Sequence, residues 1–147
     1  MLAFRKFITR GFARQNSDSW FVFGDNVARI GYGGQAAALR GEPNSIGVAT
    51  KWAPSNGEKD FFSDETPGFD LARDVILRDV MKIEQRLAAG DVVYLPSEGI
   101  GTGLSDMPTR CPKLFETLVE AFAELYSRYN TEAAREPFPW NDFLRKE

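Results

Sequence analysis

The sequence predicts an α/β domain whose mostly parallel sheet is covered by helices on both sides, and three observations carry that expectation. Trp20-Phe21-Val22-Phe23-Gly24, Ser45-Ile46-Gly47-Val48-Ala49-Thr50 and Asp91-Val92-Val93-Tyr94-Leu95 are short, near-continuous apolar runs rich in aromatic and β-branched residues. Such runs are typical of strands buried on both faces. Helical segments lie between and after them, which is the order of a parallel sheet with crossover helices. Two of the three runs pass directly into glycine-rich sequence, at the strand ends where sheets of this kind collect ligands.

The chain opens with Arg5, Lys6, Arg10 and Arg14 ahead of its first acid, Asp18, interspersed with Phe4, Phe7, Ile8 and Phe12. This reads as a basic first strand leading into the fold. The alternative, an organellar transit peptide, lacks its Ser-rich, cleavable character. Gln35–Arg40 forms a short helix stopped by Gly41. From Pro67 to Ala89, Ala72, Val75, Ile76, Val80, Ile83 and Leu87 recur at helical spacing, with Thr66-Pro67 as the start and Gly90 as the stop. A last helix spans Pro112 to Tyr129 and buries Leu114, Phe115, Leu118, Phe122 and Leu125. These stripes are core. The whole chain reads as one domain with a C-terminal tail from about residue 130, where Trp140 beside Pro137 and Pro139 pins the tail down or stacks on a base, the same two roles being open to Trp52. The stretch between Lys51 and Phe69 has the length of a lid or a disordered loop.

Composition excludes several chemistries. With 147 residues, 43% hydrophobic and 27% charged, the chain is a folded globular domain rather than a disordered one. No apolar run approaches the roughly 20 residues of a membrane span. Cys111 is the only cysteine, which rules out an intrachain disulfide and a cysteine zinc cage and fits a reducing cytoplasm. Histidine is absent, so a Ser-His-Asp triad, a Cys-His dyad and a His-ligated metal are all excluded. Proton transfer would fall to a carboxylate, Lys, Tyr or the lone thiol. The net charge of −3 does not favour general nucleic-acid binding. No metal and no cofactor is expected.

Two loops hold the residues suited to a ligand. The first runs from Gly24-Asp25-Asn26 to Gly33-Gly34-Gln35 and enters the short helix, whose free N–H groups suit an anion. Asp25 and Asn26 at the strand end either hydrogen-bond ribose hydroxyls or cap a turn. The second is Pro96-Ser97-Glu98-Gly99-Ile100-Gly101-Thr102-Gly103, with glycines at alternate positions. It can form a concave row of N–H donors around a diphosphate, with Gly101 leaving room for phosphate. It is neither a Walker A loop nor the dinucleotide fingerprint.

Phe23-Gly24-Asp25-Asn26 followed by Gly33-Gly34-Gln35-Ala36-Ala37 resembles the opening ligand loop of macrodomain-like proteins. Val48-Ala49-Thr50-Lys51 resembles the strand-Thr-Lys segment of the branch containing the terminal ADP-ribose protein glycohydrolase. Leu95-Pro96 and Ile100-Gly101-Thr102-Gly103-Leu104-Ser105-Asp106 resemble that branch's Pro, Ile-Gly-x-Gly-Leu-Asp loop. The three motifs stand in the family's order between Trp20 and Asp106. The resemblance implies a three-layer α/β/α macrodomain-like fold that binds ADP-ribose in a cleft. It places Asp25 and Asn26 near the ligand, Gly33 and Gly34 against the distal ribose with Gln35 among the binding residues, and Ser97, Gly99, Ile100, Gly101, Thr102 and Gly103 around the diphosphate. It also implies Lys51 as a nucleophile at the ribose anomeric carbon and Asp106 as the proton carrier; Glu98 is the carboxylate nearby that could act as acid in its place. In the family that Asp follows Gly-Leu directly, whereas here Ser105 intervenes.

The resulting expectation is a protein that binds ADP-ribose or a related NAD-derived nucleotide, free or on an ADP-ribosylated macromolecule, with hydrolysis of an ADP-ribosyl bond as its reaction if it is an enzyme. The alternatives are a non-catalytic nucleotide-binding or sequestering module and an interaction protein on the same fold. The loop of cytokinin-activating nucleotide N-glycosidases is superficially similar to Glu98–Ser105, but its acid falls at Ser105 and the preceding Gly doublet is missing.

Overall fold

The computed structural model describes residues 1–130 and 136–145. Four strands, β1 (Leu2–Arg5), β2 (Trp20–Asn26), β3 (Ser45–Lys51) and β4 (Val93–Pro96), form a sheet of order β1-β4-β2-β3 in which every neighbouring pair is parallel. The helices are α1 (Arg10–Gln15), α2 (Ala36–Leu39), α3 (Gly68–Ala88), α4 (Met107–Arg110) and α5 (Pro112–Tyr129), with 3-10 turns at Glu58–Asp60 and Pro139–Arg145.

The two faces of the sheet are separated by the period-2 alternation of β2. Phe21 and Phe23 bury against Ala13, Ala36 and Leu39 on the side of α1 and α2. Val22 faces the larger core with Val48, Val93, Leu95 and the stripes of α3 and α5. Ala72, Ile76, Val80, Ile83 and Leu87 of α3 are all buried, as are Leu114, Phe115, Leu118, Phe122 and Leu125 of α5. With apolar cover on both sides, the strands need apolar residues at successive positions, which is why their runs are near-continuous.

The basic start folds into the domain as a strand and a helix. Thr9 caps α1 by accepting from Phe12 N at 3.0 Å; Arg10 and Arg14 pair with Glu42; the Arg5 guanidinium lies 3.5 Å from the Phe12 ring centroid. The stretch after Lys51 is built into the body of the domain. Phe61 and Phe62 are buried, Lys51 pairs with Phe61 in an antiparallel bridge, and Asp64 accepts from Lys113 N and Leu114 N at the start of α5. Two aromatic side chains of this stretch are thus part of the buried core.

Side chains take up backbone groups on both sheet edges, which disfavours pairing with another chain. At β1, Asn130 accepts from Leu2 N and donates to Leu2 O, each at 2.8 Å. At β3, Arg29 donates to Gly47 O at 3.4 Å and Asp79 accepts from Ala49 N at 2.9 Å. Asp79, on α3 and 1% exposed, also receives Arg29 Nη2 on both carboxylate oxygens at 2.7 and 2.8 Å. Asp79→Ala removes one partner from a buried pair and orphans Ala49 N. Because the Arg29 side chain is 37% exposed, the expected loss is about 2 kcal/mol rather than the larger figure for a fully buried pair. A urea midpoint equal to that of the wild type would show that the pair contributes nothing.

Candidate functional site

The carboxyl ends of β2, β3 and β4 open into a cleft of about 210 Å³. The first glycine loop contributes Gly24, Asp25, Asn26, Gly31, Gly33 and Gly34, followed by Gln35 and Arg40 around α2. Thr50 and Lys51 come from the end of β3, with Pro54 and Asn56 beyond them. The third side is Gly99, Gly101, Thr102, Gly103, Leu104 and Ser105. Most of the expected binding residues therefore do converge. Ser97 and Ile100 do not line the cleft: Ser97 N donates to Arg5 O at 3.1 Å on the β1 side, and Ile100 is a core residue, 1% exposed.

Several converging residues have a different task from the one their type suggests. Both Asp25 oxygens are engaged, Oδ1 by Asn26 N at 2.8 Å and by Arg40 Nη2, and Oδ2 by Arg29 Nη1 at 3.5 Å. Asn26 closes its own loop, donating from Nδ2 to Ile30 O at 2.8 Å. Gln35 is a clip between the loops: it accepts from Gly24 N at 2.8 Å and donates to Gly99 O at 2.9 Å. The helix after Gly34 is only four residues long, too short to supply the anion-attracting N-terminus expected there.

The second loop retains the donor row. The N–H groups of Gly101, Thr102, Gly103, Leu104 and Ser105 find no protein acceptor among the described residues. Gly99 (φ +84°) and Gly101 (φ +76°) adopt left-handed backbone at alternate positions, the conformation that turns successive N–H groups into one concavity. Gly103 has open space around it. Gly101 does not, since a Cβ there would meet Met107 Sδ at 2.5 Å. A side chain at Gly101 would therefore displace the core methionine, while the Gly101 backbone lines the cleft.

Lys51 lines the cleft, with its amine donating to Ser55 O at 2.9 Å and Asn56 Oδ1 at 3.4 Å and lying 4.3 Å from the Phe61 ring centroid. Burial pushes its pKa below the ordinary lysine range; Asp60 opposes this and Arg110 reinforces it. Asp106 does not join it. That residue adopts left-handed backbone (φ +50°) before α4, and its half-exposed side chain lies 3.9 Å from Arg110 Nε. The position beside Thr50 belongs to the intervening Ser105, whose hydroxyl is 2.6 Å from Thr50 Oγ1. Since Thr50 Oγ1 donates to Asp25 O, Ser105 is the donor in that pair. Glu98 is exposed and outside the cleft.

Sequence reasoning missed Arg40 and Ser105 as cleft residues. Ser105 carried a signal, as the insertion in the Gly-Leu-Asp pattern; Arg40, at the end of a short helix, carried none. Neither Trp52 nor Trp140 reaches the cleft. Trp52 packs on Phe62, and Trp140, 1% exposed, packs on Phe122 and Phe138. Among the described residues, no group of three His, Cys, Asp or Glu side chains converges as a metal site would require, and no helix is long and apolar enough to cross a membrane.

The glycines separate two roles that can be measured. Gly101→Ala is expected to lower stability by about 2 kcal/mol through left-handed strain and the Met107 clash, whereas Gly103→Ala leaves the melting temperature within a degree or two of the wild type on the same reasoning. Equal melting temperatures for the two variants would refute the assignment. Burial, with Asp64 and Asp106 nearby, pushes the Cys111 thiol up to about 12. The thiolate is then scarce at pH 8, and iodoacetamide should label Cys111 only after denaturation.

No curated protein and no solved structure matches the chain. The model of the family of unknown function DUF7831 matches it over residues 3–121, a span that includes all of the cleft, and the chain belongs to that family.

Proposed function

We propose that the cleft binds ADP-ribose or a closely related phosphate-bearing nucleotide, in the manner of the macrodomain-like proteins its motifs resemble. The observation that carries this reading is the run of N–H groups from Gly101 to Ser105, without a protein acceptor among the described residues, in a loop that lines a cleft at the carboxyl ends of parallel strands. Charge supports it. The ionisable side chains lining the cleft are Arg40, Lys51 and Asp25, and the one carboxylate is already held by two arginines. An anion is favoured there and a cation is not. Free ADP-ribose, another NAD-derived nucleotide and an ADP-ribosylated macromolecule all present the diphosphate that such a nest would receive.

Binding without turnover is the form of the reading that the geometry supports best. Hydrolysis of an ADP-ribosyl bond is favoured by one observation, the lowered amine of Lys51 in the cleft wall. It lacks a proton carrier, because Asp106 faces Arg110, Glu98 is exposed and Asp25 is fully engaged.

Calorimetry is expected to give a micromolar dissociation constant for ADP-ribose, about −8 kcal/mol, with a matching rise in melting temperature. Gly103→Asp adds a carboxylate beside the donors at a position where a Cβ meets nothing within 4 Å and should weaken binding about 100-fold by repulsion of the diphosphate while the protein stays folded. No heat and no thermal shift at millimolar ADP-ribose would end the reading. Release of ADP-ribose from an ADP-ribosylated peptide, abolished by Lys51→Ala, would replace binding with hydrolysis.

A further inference from the structure

A second concavity, about 440 Å³ in volume, runs between the edge strand β3 and α3. Among the described residues it shares only Asp25 with the cleft. Ser45 and Gly47 line it from β3, Lys82 and Arg86 line it from α3, and Arg29 lines it as well. Asp25 is its one lining carboxylate, 6% exposed and already shared by Arg29 and Arg40. Lys82 and Arg86, four residues apart on a helix, share a face, and their side chains are 63% and 39% exposed. Lys82 Nζ lies 3.6 Å from Asp79 Oδ1 and Arg86 Nη1 3.9 Å from Asp91 Oδ2, separations too long for hydrogen bonds. Both cations therefore keep donors for another anion. The Arg86 guanidinium also rests 4.8 Å from the Trp20 ring centroid, which restricts it before any partner arrives.

The strand wall offers backbone groups of its own. Phe21 N donates to Asn44 O, so Asn44, Ile46 and Val48 turn their backbone groups toward β2, and Ser45 and Gly47 turn theirs outward. Ser45 N is taken by Glu42 O, and Gly47 O by Arg29. Ser45 O and Gly47 N have no partner among the described residues. One residue of a segment lying parallel to β3 satisfies both, giving its N–H to Ser45 O and receiving Gly47 N on its carbonyl. We propose that this groove docks a short, extended acidic segment of a partner protein, its carboxylates on Lys82 and Arg86 and its backbone on Ser45 and Gly47. Arg29 and Asp79 occupy the edge at Gly47 O and Ala49 N, so the open stretch is too short for another sheet to add along the strand. A nucleic acid brings anionic groups but no backbone N–H for Ser45 O, which favours a polypeptide.

The test is fluorescence anisotropy on the full chain with a labelled peptide of about ten residues alternating Glu and Thr, which places its carboxylates on one face of a strand. The Gln-Thr counterpart and an oligothymidylate of equal length are measured beside it. The acidic peptide is expected to bind at least about tenfold more tightly than its Gln counterpart. Lys82→Gln with Arg86→Gln should lower its affinity at least about tenfold, whereas Arg73→Gln with Arg78→Gln, the same change in charge on α3 outside the groove, leaves it within about twofold. In the wild type, the peptide should shift the amide resonances of Ser45 and Gly47; if the groove variant does not fold, that mapping decides. ADP-ribose titrated into the groove variant should bind as it does to the wild type, so this outcome is separate from that of the cleft. An equal loss in both double variants, shifts confined to the cleft, tighter binding of the oligothymidylate than of the peptide, or no peptide binding at all overturns the proposal.

Discussion

Arg29 holds the cleft side of the domain to its longest helix. Its backbone is left-handed, φ +59°, a conformation costing a non-glycine residue about 1 kcal/mol. It persists because the side chain is held on both oxygens of the buried Asp79 and reaches Asp25 and Gly47 O as well. Asp25 passes the constraint to Arg40, and Arg40 to the carbonyls of Ile30 and Gly31. Gly47 is part of the same device, since a Cβ there would lie 2.4 Å from Asp25 Oδ2. Buried ion pairs contribute little net stability compared with apolar packing. What this one supplies is position: the first glycine loop is tied to α3 through side chains and cannot drift independently of it.

The second loop is positioned from different directions. Gln35 joins it to the end of β2 through Gly24 N and Gly99 O. Met107 fills the space behind Gly101, and Phe143 of the C-terminal 3-10 turn lies against Gly99. Trp140 Nε1 donates to Pro96 O at 3.0 Å, fixing the residue from which the loop departs. The tail that does this lies beyond the segment shared with the family. Side chains hold the loops from behind, so the donor row is formed in advance, which is what specific binding of a small anion needs.

Position also separates the two halves of the expected catalytic pair. Lys51 ends the edge strand β3, and its amine is drawn toward Ser55 and Asn56. Asp106 sits one residue too late in a loop whose left-handed turn aims it at Arg110. The hydroxyl of Ser105 takes up the place beside Thr50. A serine there can hydrogen-bond a ligand, but it cannot carry the proton that a carboxylate would.

The sequence by itself determined the layers and their order. Phe21, Val22 and Phe23 had to be buried on both faces, and the stripes of α3 and α5 had to face a sheet, because apolar area removed from water dominates at those positions. It also located both glycine loops, since strand ends followed by glycine are local signals. It did not reveal α1, whose cap at Thr9 is a single hydroxyl in a basic stretch, nor the anchoring of Phe61 and Phe62. Tertiary structure alone decided what each polar residue of the loops does. Asp25, Asn26 and Gln35 are as suited to a ligand as to a neighbouring backbone group, and the choice depends on partners 1 to 64 residues away. Gly101 reads like Gly103 until Met107 is placed behind it. Arg40 becomes a cleft residue only because Asp25, Ile30 and Gly31 hold three of its five N–H groups.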